Sequence, residues 1–492
     1  MLYCLEKLLF FMIAFLNYWV EYLKYACNSY VTIKVHIRKE NFMETAFKYN
    51  YDYSQCMVMK LGMAHPEKKV PNKSYIQLTF EEALEYIKKI DSITQGVTKI
   101  YYLVGWQYLG HDDKYPDFFE VNEALKRPQD KTAYDSFRWL SNEAKKYHSV
   151  ISVHINFNDA YDNAPSFEDF VKAGALIRKK NGKPHAIENY NGRKCYKTCL
   201  KTYWESGLFK RQFDRFTETF PFIAETGTIH VDNFQCYKNY SPDVSIKEMQ
   251  NARRKMIAYV KSKGIDITSE FTYKENNLLP NKPIFGLPRD HFRSAPMDTV
   301  GLIPVSWWCY RMTNKELIET PPQVYCGGEF REKWMNDIFY GNMHGEDIVV
   351  KSNSNWAQNF IARFATYQVP GHFLNAHKRI ALKGKTKNRF CEFSDGVVSY
   401  EKGRKITENG KVIKDGDTLF LPLVQKENTY IAYSETGDSR AWALATDNVS
   451  AAKVYQITEA GNQFLSEIPV YNKKIELHIK PKTALLIVLC KQ

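Results

Sequence analysis

The chain contains no C-x-x-C pair, no run of basic residues interleaved with aromatics, no internal repeat and no low-complexity segment. Each absence removes a class of function. The ten cysteines are dispersed from Cys4 to Cys490. Cys195 and Cys199 have no nearby His or Cys to complete a tetrahedral set, which argues against a zinc module. Dispersed thiols in so long a chain read as reduced core residues, which favours the cytoplasm over secretion. The balance of 68 Lys+Arg against 55 Asp+Glu gives a net charge of +13. Scattered basic residues do not make the stripe that tracks a phosphate backbone, so no nucleic-acid partner is expected and the charge reads as a solvated surface. The apolar run at 8–20, LLFFMIAFLNYWV, falls short of the roughly 20 residues that cross a bilayer, and no stable membrane span is expected. It has the character of a signal-peptide core, but Lys7 is the only basic residue before it and no convincing small-x-small site follows. A buried helix, or a start that truncates a larger domain, is the better reading.

What the chain does have is room and aromatics. At 492 residues it can hold a barrel of about 250 residues with flanking domains. Aromatics make up 15%, mostly Tyr and Phe, and part of that richness fits platforms that stack on sugar rings. Residues 1–78 read as an amino-terminal segment, a truncated β domain or an apolar leader. From Thr79 the pattern alternates helix and strand. Thr79 with Glu82, and Ser245 with Glu248, form capping-box patterns. Strands are expected at Lys99–Gly105, Ser149–Phe157, Gly227–Asp232 and Ile265–Glu270, which predicts right-handed βαβ units over 79–370. After about Pro370, short strands separated by turns such as Glu408-Asn409-Gly410 predict an all-β sandwich over 371–492. The expected fold class is α/β, a (β/α)8-like barrel with that sandwich and a remnant amino-terminal β/α segment.

Two of those strands end in carboxylates, Asp232 and Glu270, with one helix between them. Consecutive parallel strands set their carboxy-terminal ends side by side, so both groups are expected to face one pocket. Glycosidic cleavage uses such a pair, about 5–5.5 Å apart in a retaining enzyme and about 6.5–9.5 Å apart in an inverting one. The acid/base must start protonated, which an apolar setting promotes; Glu270, flanked by Phe271 and near Ile267, suits that role. Asp232 beside Asn233 suits a nucleophile kept ionised. On the same face the sequence offers Trp106, Gln107, His111 and Asp112 after one strand, and His154, Asn156 and Asp159 on or after the next. Trp308 and the Asn342, His344 and Glu346 group complete the candidate binding residues. Asp159 and Asp162 equally suit a turn or a Ca2+ site.

These segments together resemble glycoside hydrolases that release α-linked N-acetylgalactosamine from mucin-type O-glycans, families 101 and 129. The resemblance is carried by YYLVGWQYLGHDDKYPDF from residue 101, SVHINFNDAYD from 152, TIHVDNF from 228, DITSEF from 266 and YGNMHGED from 340. It covers about 80–365 and implies a distorted barrel and a configuration-retaining reaction. It also implies Asp232 as nucleophile and Glu270 as acid/base. The compact chain leans towards family 129, whose members act inside cells. The implied partner is a glycan or glycopeptide. No cofactor is required, and a structural Ca2+ is the one ion the resemblance allows. A retaining α-glycosidase for another sugar, or a catalytically inactive carbohydrate-binding protein, is the alternative.

Overall fold

A parallel sheet occupies the centre of the molecule. The computed structural model describes residues 49–67, 70–190, 193–232, 234, 236–269, 295–296, 346–348, 355–384, 388, 390–400 and 402–491, all within one compact unit, 49–492. In chain order the elements that build the site are β1 (Met57–Gly62), β2 (Ala64–Pro66), β3 (Lys99–Val104), β4 (Ser149–Asn156) and β5 (Asp159–Tyr161). They continue with β6 (Arg193–Lys197), β7 (Thr228–Asp232), β8 (Asp266–Ser269), β9 (Ala295–Pro296) and β10 (Glu346–Ile348). Strands β1, β3, β4, β7 and β8 lie side by side in sequence order and all run parallel. β10 pairs in parallel with the outer edge of β1, and β9 adds an antiparallel strand beside β8.

Helices between the strands cover the sheet. α1 (Phe80–Thr94) starts where Thr79 accepts from the Glu82 amide while the Glu82 carboxylate accepts from the Thr79 amide, closing two otherwise unpaired donors. Phe80, Ala83, Leu84, Ile87, Ile90 and Ile93 recur at helical spacing and are all buried. α2 (Ala133–Lys145) is capped by Thr132. α3 (Leu208–Thr219) precedes β7, and α4 (Ile246–Ser262), with its Ser245–Glu248 capping box, links β7 to β8. Aromatic rings fill the space between: Trp106, Phe137, Phe216, Phe220 and Phe222 pack at centroid distances of 5.2 to 6.5 Å. Much of the aromatic content is therefore core.

Residues 379–491 form an antiparallel sheet of twelve strands among the described residues. It closes on its own apolar core, including Phe420, Trp442, Val454, Ile475 and Ile487, and matches the expected carboxy-terminal sandwich. Gln95 beyond α1 and Asn462 exchange reciprocal side-chain hydrogen bonds of 2.9 and 2.8 Å, tying it to the α/β part.

The mixed α/β character thus matches the expectation, with one difference. The sheet's first strand, Met57–Gly62, lies within the segment expected to stand outside it. Five of its six residues are buried, and the short hairpin following it hid its membership in the parallel series. The expected closure into an eight-stranded barrel rests on residues between β8 and β10 that lie outside the described residues.

Candidate active site

Polar side chains on the inner face of the strands divide into two layers. In the lower layer, near the strand starts, each group has a partner. Tyr53 Oη donates to Thr228 Oγ1 at 2.8 Å and to Asp266 Oδ2 at 3.2 Å. Tyr102 Oη and Thr228 Oγ1 are 2.6 Å apart, the Asn50 amide donates to Asp266 Oδ2 at 2.7 Å, and Ser152 Oγ donates to the Thr228 carbonyl. Burial, opposed by those hydrogen bonds, pushes the Asp266 carboxyl up to about 6. This layer is structural, and its polar side chains are spent on one another.

The upper layer is different. Parallel register places His154 beside His230 and Asn156 beside Asp232. The rings of His111, His154 and His230 form a column with successive centroids 5.4 Å apart, the second pair stacked. At its base His230 Nδ1 meets Thr268 Oγ1 at 2.9 Å. Asp232, half-buried at the end of β7, accepts a long 3.4 Å hydrogen bond from Asn156 Nδ2. One ligand atom from each of His111, His154 and Asp232 lies within 4.8 Å of the others. Three residues from three strand ends therefore converge on one point.

The loop after β3 brings His111 there. Gly105 has φ +77°, and a Cβ on it would lie 1.8 Å from the Ala64 carbonyl oxygen; Gly110 has φ +124° and equally no room. Both positions need glycine because the loop runs against the backbone of β2. The His111 amide donates to the Ala64 carbonyl at 2.8 Å. Asp113 ties the loop down, accepting from the Leu109 amide and from Asn163 Nδ2. Asp112 is half-buried with Oδ1 3.6 Å from His111 Nε2. Loss of water raises the Asp112 carboxyl, and His111 pulls it back.

A buried ion pair backs the site. Lys197 Nζ donates to Asp159 Oδ1 at 2.6 Å, and Asn156 Nδ2 donates to Asp159 Oδ2 at 2.8 Å. Asn156 Oδ1 accepts the amides of Asn158 and Asp159 at 2.7 and 3.0 Å. Burial raises the Asp159 carboxyl and Lys197 opposes the rise, while that carboxylate holds the Lys197 ammonium charged. The result is a chain from Lys197 through Asp159 and Asn156 to Asp232. Lys197 was not apparent in the sequence; it meets Asp159 because β6 pairs antiparallel with β5 in that register.

Of the residues expected at the site, His111, Asp112, His154, Asn156, Asp159 and Asp232 come together. Trp106 does not act as a platform: it is fully buried, and its Nε1 donates to the His154 carbonyl at 3.3 Å. Gln107 is buried as well and donates to the Gly110 carbonyl at 3.0 Å, holding the loop. Asp162 is exposed at a turn. Glu346 begins a strand aligned with Met59 rather than a loop. Glu270, Asn233, Trp308, Asn342 and His344 lie outside the described residues.

The implied calcium ion is not matched by these donors. Ca2+ takes six to eight oxygen ligands, whereas the one grouping of three or more His, Cys, Asp or Glu ligands among the described residues is two imidazoles and a carboxylate. Asp159, the nearest further carboxylate, is engaged by Lys197 and Asn156. Cys195 and Cys199 are both buried free thiols, and no metal grouping includes them among the described residues.

Residues 53–279 match the sequence model of a family described as endo-alpha-N-acetylgalactosaminidase. No curated protein matches the chain. Among solved structures, the ligand-free α-N-acetylgalactosaminidase NagBb from Bifidobacterium bifidum superposes with TM-score 0.52 at 13% identity, over 76% of this chain and 62% of that one. Its Gal-NHAc-DNJ complex gives TM-score 0.51 at 14% identity, over 77% and 62%. The chain thus spans less than two thirds of that enzyme's length, and at such identity the likeness is one of fold. The family match encloses β1 to β8 and every residue of the converging cluster, and it is to the same clan that the chain's motifs resemble.

Proposed function

We propose that this chain is a retaining glycoside hydrolase that cleaves α-linked N-acetylgalactosamine from mucin-type O-glycans, on a parallel barrel that closes between β8 and β10. The observation that carries the reading is Asp232. It is a half-buried carboxylate at the carboxy-terminal end of a parallel strand, with two histidines and a braced asparagine around it, inside a glycoside hydrolase family match. Strand ends on that face of a parallel α/β barrel are where chemistry is placed. The position of β10 beside β1 supports closure, because the last strand of a barrel returns to the first.

In this reading Asp232 attacks the anomeric carbon from the face opposite the aglycone and forms a β-linked glycosyl ester. Glu270, one residue past the ladder that ends at Ser269↔Val231, protonates the departing oxygen and then deprotonates the water that releases the sugar. Asn156 limits the freedom of Asp232, and the ion pair behind it fixes Asn156. His111, Asp112 and His154 present donors and acceptors to sugar hydroxyls.

A panel of aryl α-glycosides of N-acetylgalactosamine, galactose and glucose tests the substrate. Preference for the first is expected, and preference for another sugar replaces the assignment. NMR of the first-formed anomer tests the mechanism: α-anomer appears first under retention, and an initial β product refutes it.

A further inference from the structure

We propose that His111, His154 and Asp232 form a binding site for a borderline divalent transition metal, with Zn2+ as its prototype, and that occupancy of this site excludes the sugar. The metal-binding part stands on the donor set alone; the exclusion part rests on the hydrolase reading given above.

The donors are those zinc favours, two imidazoles and one carboxylate, the number that leaves a fourth position open to water. Bonds near 2.0–2.2 Å place tetrahedral donors about 3.3 Å apart. Ligand atoms no more than 4.8 Å from one another therefore need inward movements of less than about 1 Å each, within reach of small rotations at His111 on its loop and Asp232 at its strand end. Groups behind the donors orient them, as second-shell partners of metal ligands do. The Asp112 carboxylate lies 3.6 Å from His111 Nε2. The His154 ring is held between His111 and His230, and Asn156 donates to Asp232. The nitrogen-rich set also selects against Ca2+ and Mg2+, which demand oxygen. An ion bonded to Asp232 would occupy its carboxylate and fill the point on which the site converges. The metal is therefore an inhibitor of the proposed reaction and not its cofactor.

The test uses the full chain, metal-free, titrated with Zn2+ by calorimetry and with Co2+ by visible absorption, with no substrate present. One site of micromolar or tighter affinity is expected. Its Co2+ spectrum should show d–d bands of nitrogen and oxygen coordination without a thiolate charge-transfer band. His111→Gln, on the half-exposed loop, and Asp232→Asn should each weaken Zn2+ binding at least tenfold. His148→Gln, at an exposed histidine beside Asp91, should leave it unchanged, and millimolar Ca2+ should not displace the ion. Absence of a site, a thiolate band, or affinity indifferent to both His111→Gln and Asp232→Asn overturns the proposal. In a second arm Zn2+ should raise the apparent KM for the aryl α-N-acetylgalactosaminide. An active enzyme that binds Zn2+ at these residues without inhibition would overturn the exclusion alone. A chain that binds Zn2+ there but hydrolyses nothing would overturn the hydrolase reading and leave the metal site standing.

Discussion

The two ends of the parallel strands contain the same kinds of residue and use them in opposite ways. Near the strand starts, Tyr53, Tyr102, Thr228 and Asp266 bond to one another, as buried polar groups must if burial is not to cost several kcal/mol. Near the strand ends, His111, His154 and Asp232 bring ligand atoms to one point, with Asn156, Asp159 and Lys197 arranged behind. The difference teaches that polar residues inside a parallel sheet do not by themselves mark a site. What marks it is convergence on a point with a bracing layer on the far side.

That contrast can be broken by substitution. Asp232→Asn should lower turnover of an aryl α-N-acetylgalactosaminide on the order of 10⁴-fold, about 5 kcal/mol of transition-state stabilisation, with little change in Tm. A variant with near-native turnover removes Asp232 from the chemistry. Trp106→Ala should cost about 3–5 kcal/mol of stability, because it empties a fully packed position. A raised KM at unchanged Tm would instead mark Trp106 as a sugar platform.

Lys197→Met should destabilise by about 3 kcal/mol, since it leaves the Asp159 carboxylate buried and uncompensated, and should lower turnover through Asn156. Adding Asp159→Asn should recover most of the stability; a purely additive double variant would mean that the pair is not coupled.

The smallest expected effect sharpens the lower layer. The Asp266 carboxyl, raised to about 6 from an unfolded value near 3.9, holds more proton in the folded state. Its contribution is therefore complete below about pH 4 and is lost as pH rises through about 6. Asp266→Asn should flatten the stability profile between those values, by about 2 kcal/mol, when denaturant midpoints are followed against pH. An unchanged slope would contradict the assignment.

Features fixed by neighbours in the chain were legible from residues alone. The capping boxes at Thr79 and Ser245 depend on side chains three residues away and formed as expected. So did the turn at Asn409 and Gly410, both at positive φ. The parallel strands were readable from the alternation of helix and strand after Thr79, whereas the register that joins Asn156 to Asp232 emerged only from the pairing of β4 with β7. Trp106 was misread because a residue two steps past a strand can face either way, and the left-handed Gly105 lies between it and the end of β3. Lys197 was invisible because its partner lies 38 residues away across an antiparallel pairing. Gly110 is a point of close approach, and what approaches it is the Ala64 backbone.

The central claim, that Asp232 forms the covalent bond to the sugar, is tested most directly by replacing it with alanine and supplying azide. A small anion entering the vacated space should restore turnover and yield the β-glycosyl azide, the product of attack opposite an α-linked aglycone. Rescue that gives the α-glycosyl azide would assign Asp232 to proton transfer, and no rescue in a folded Asp232→Ala protein would contradict the account.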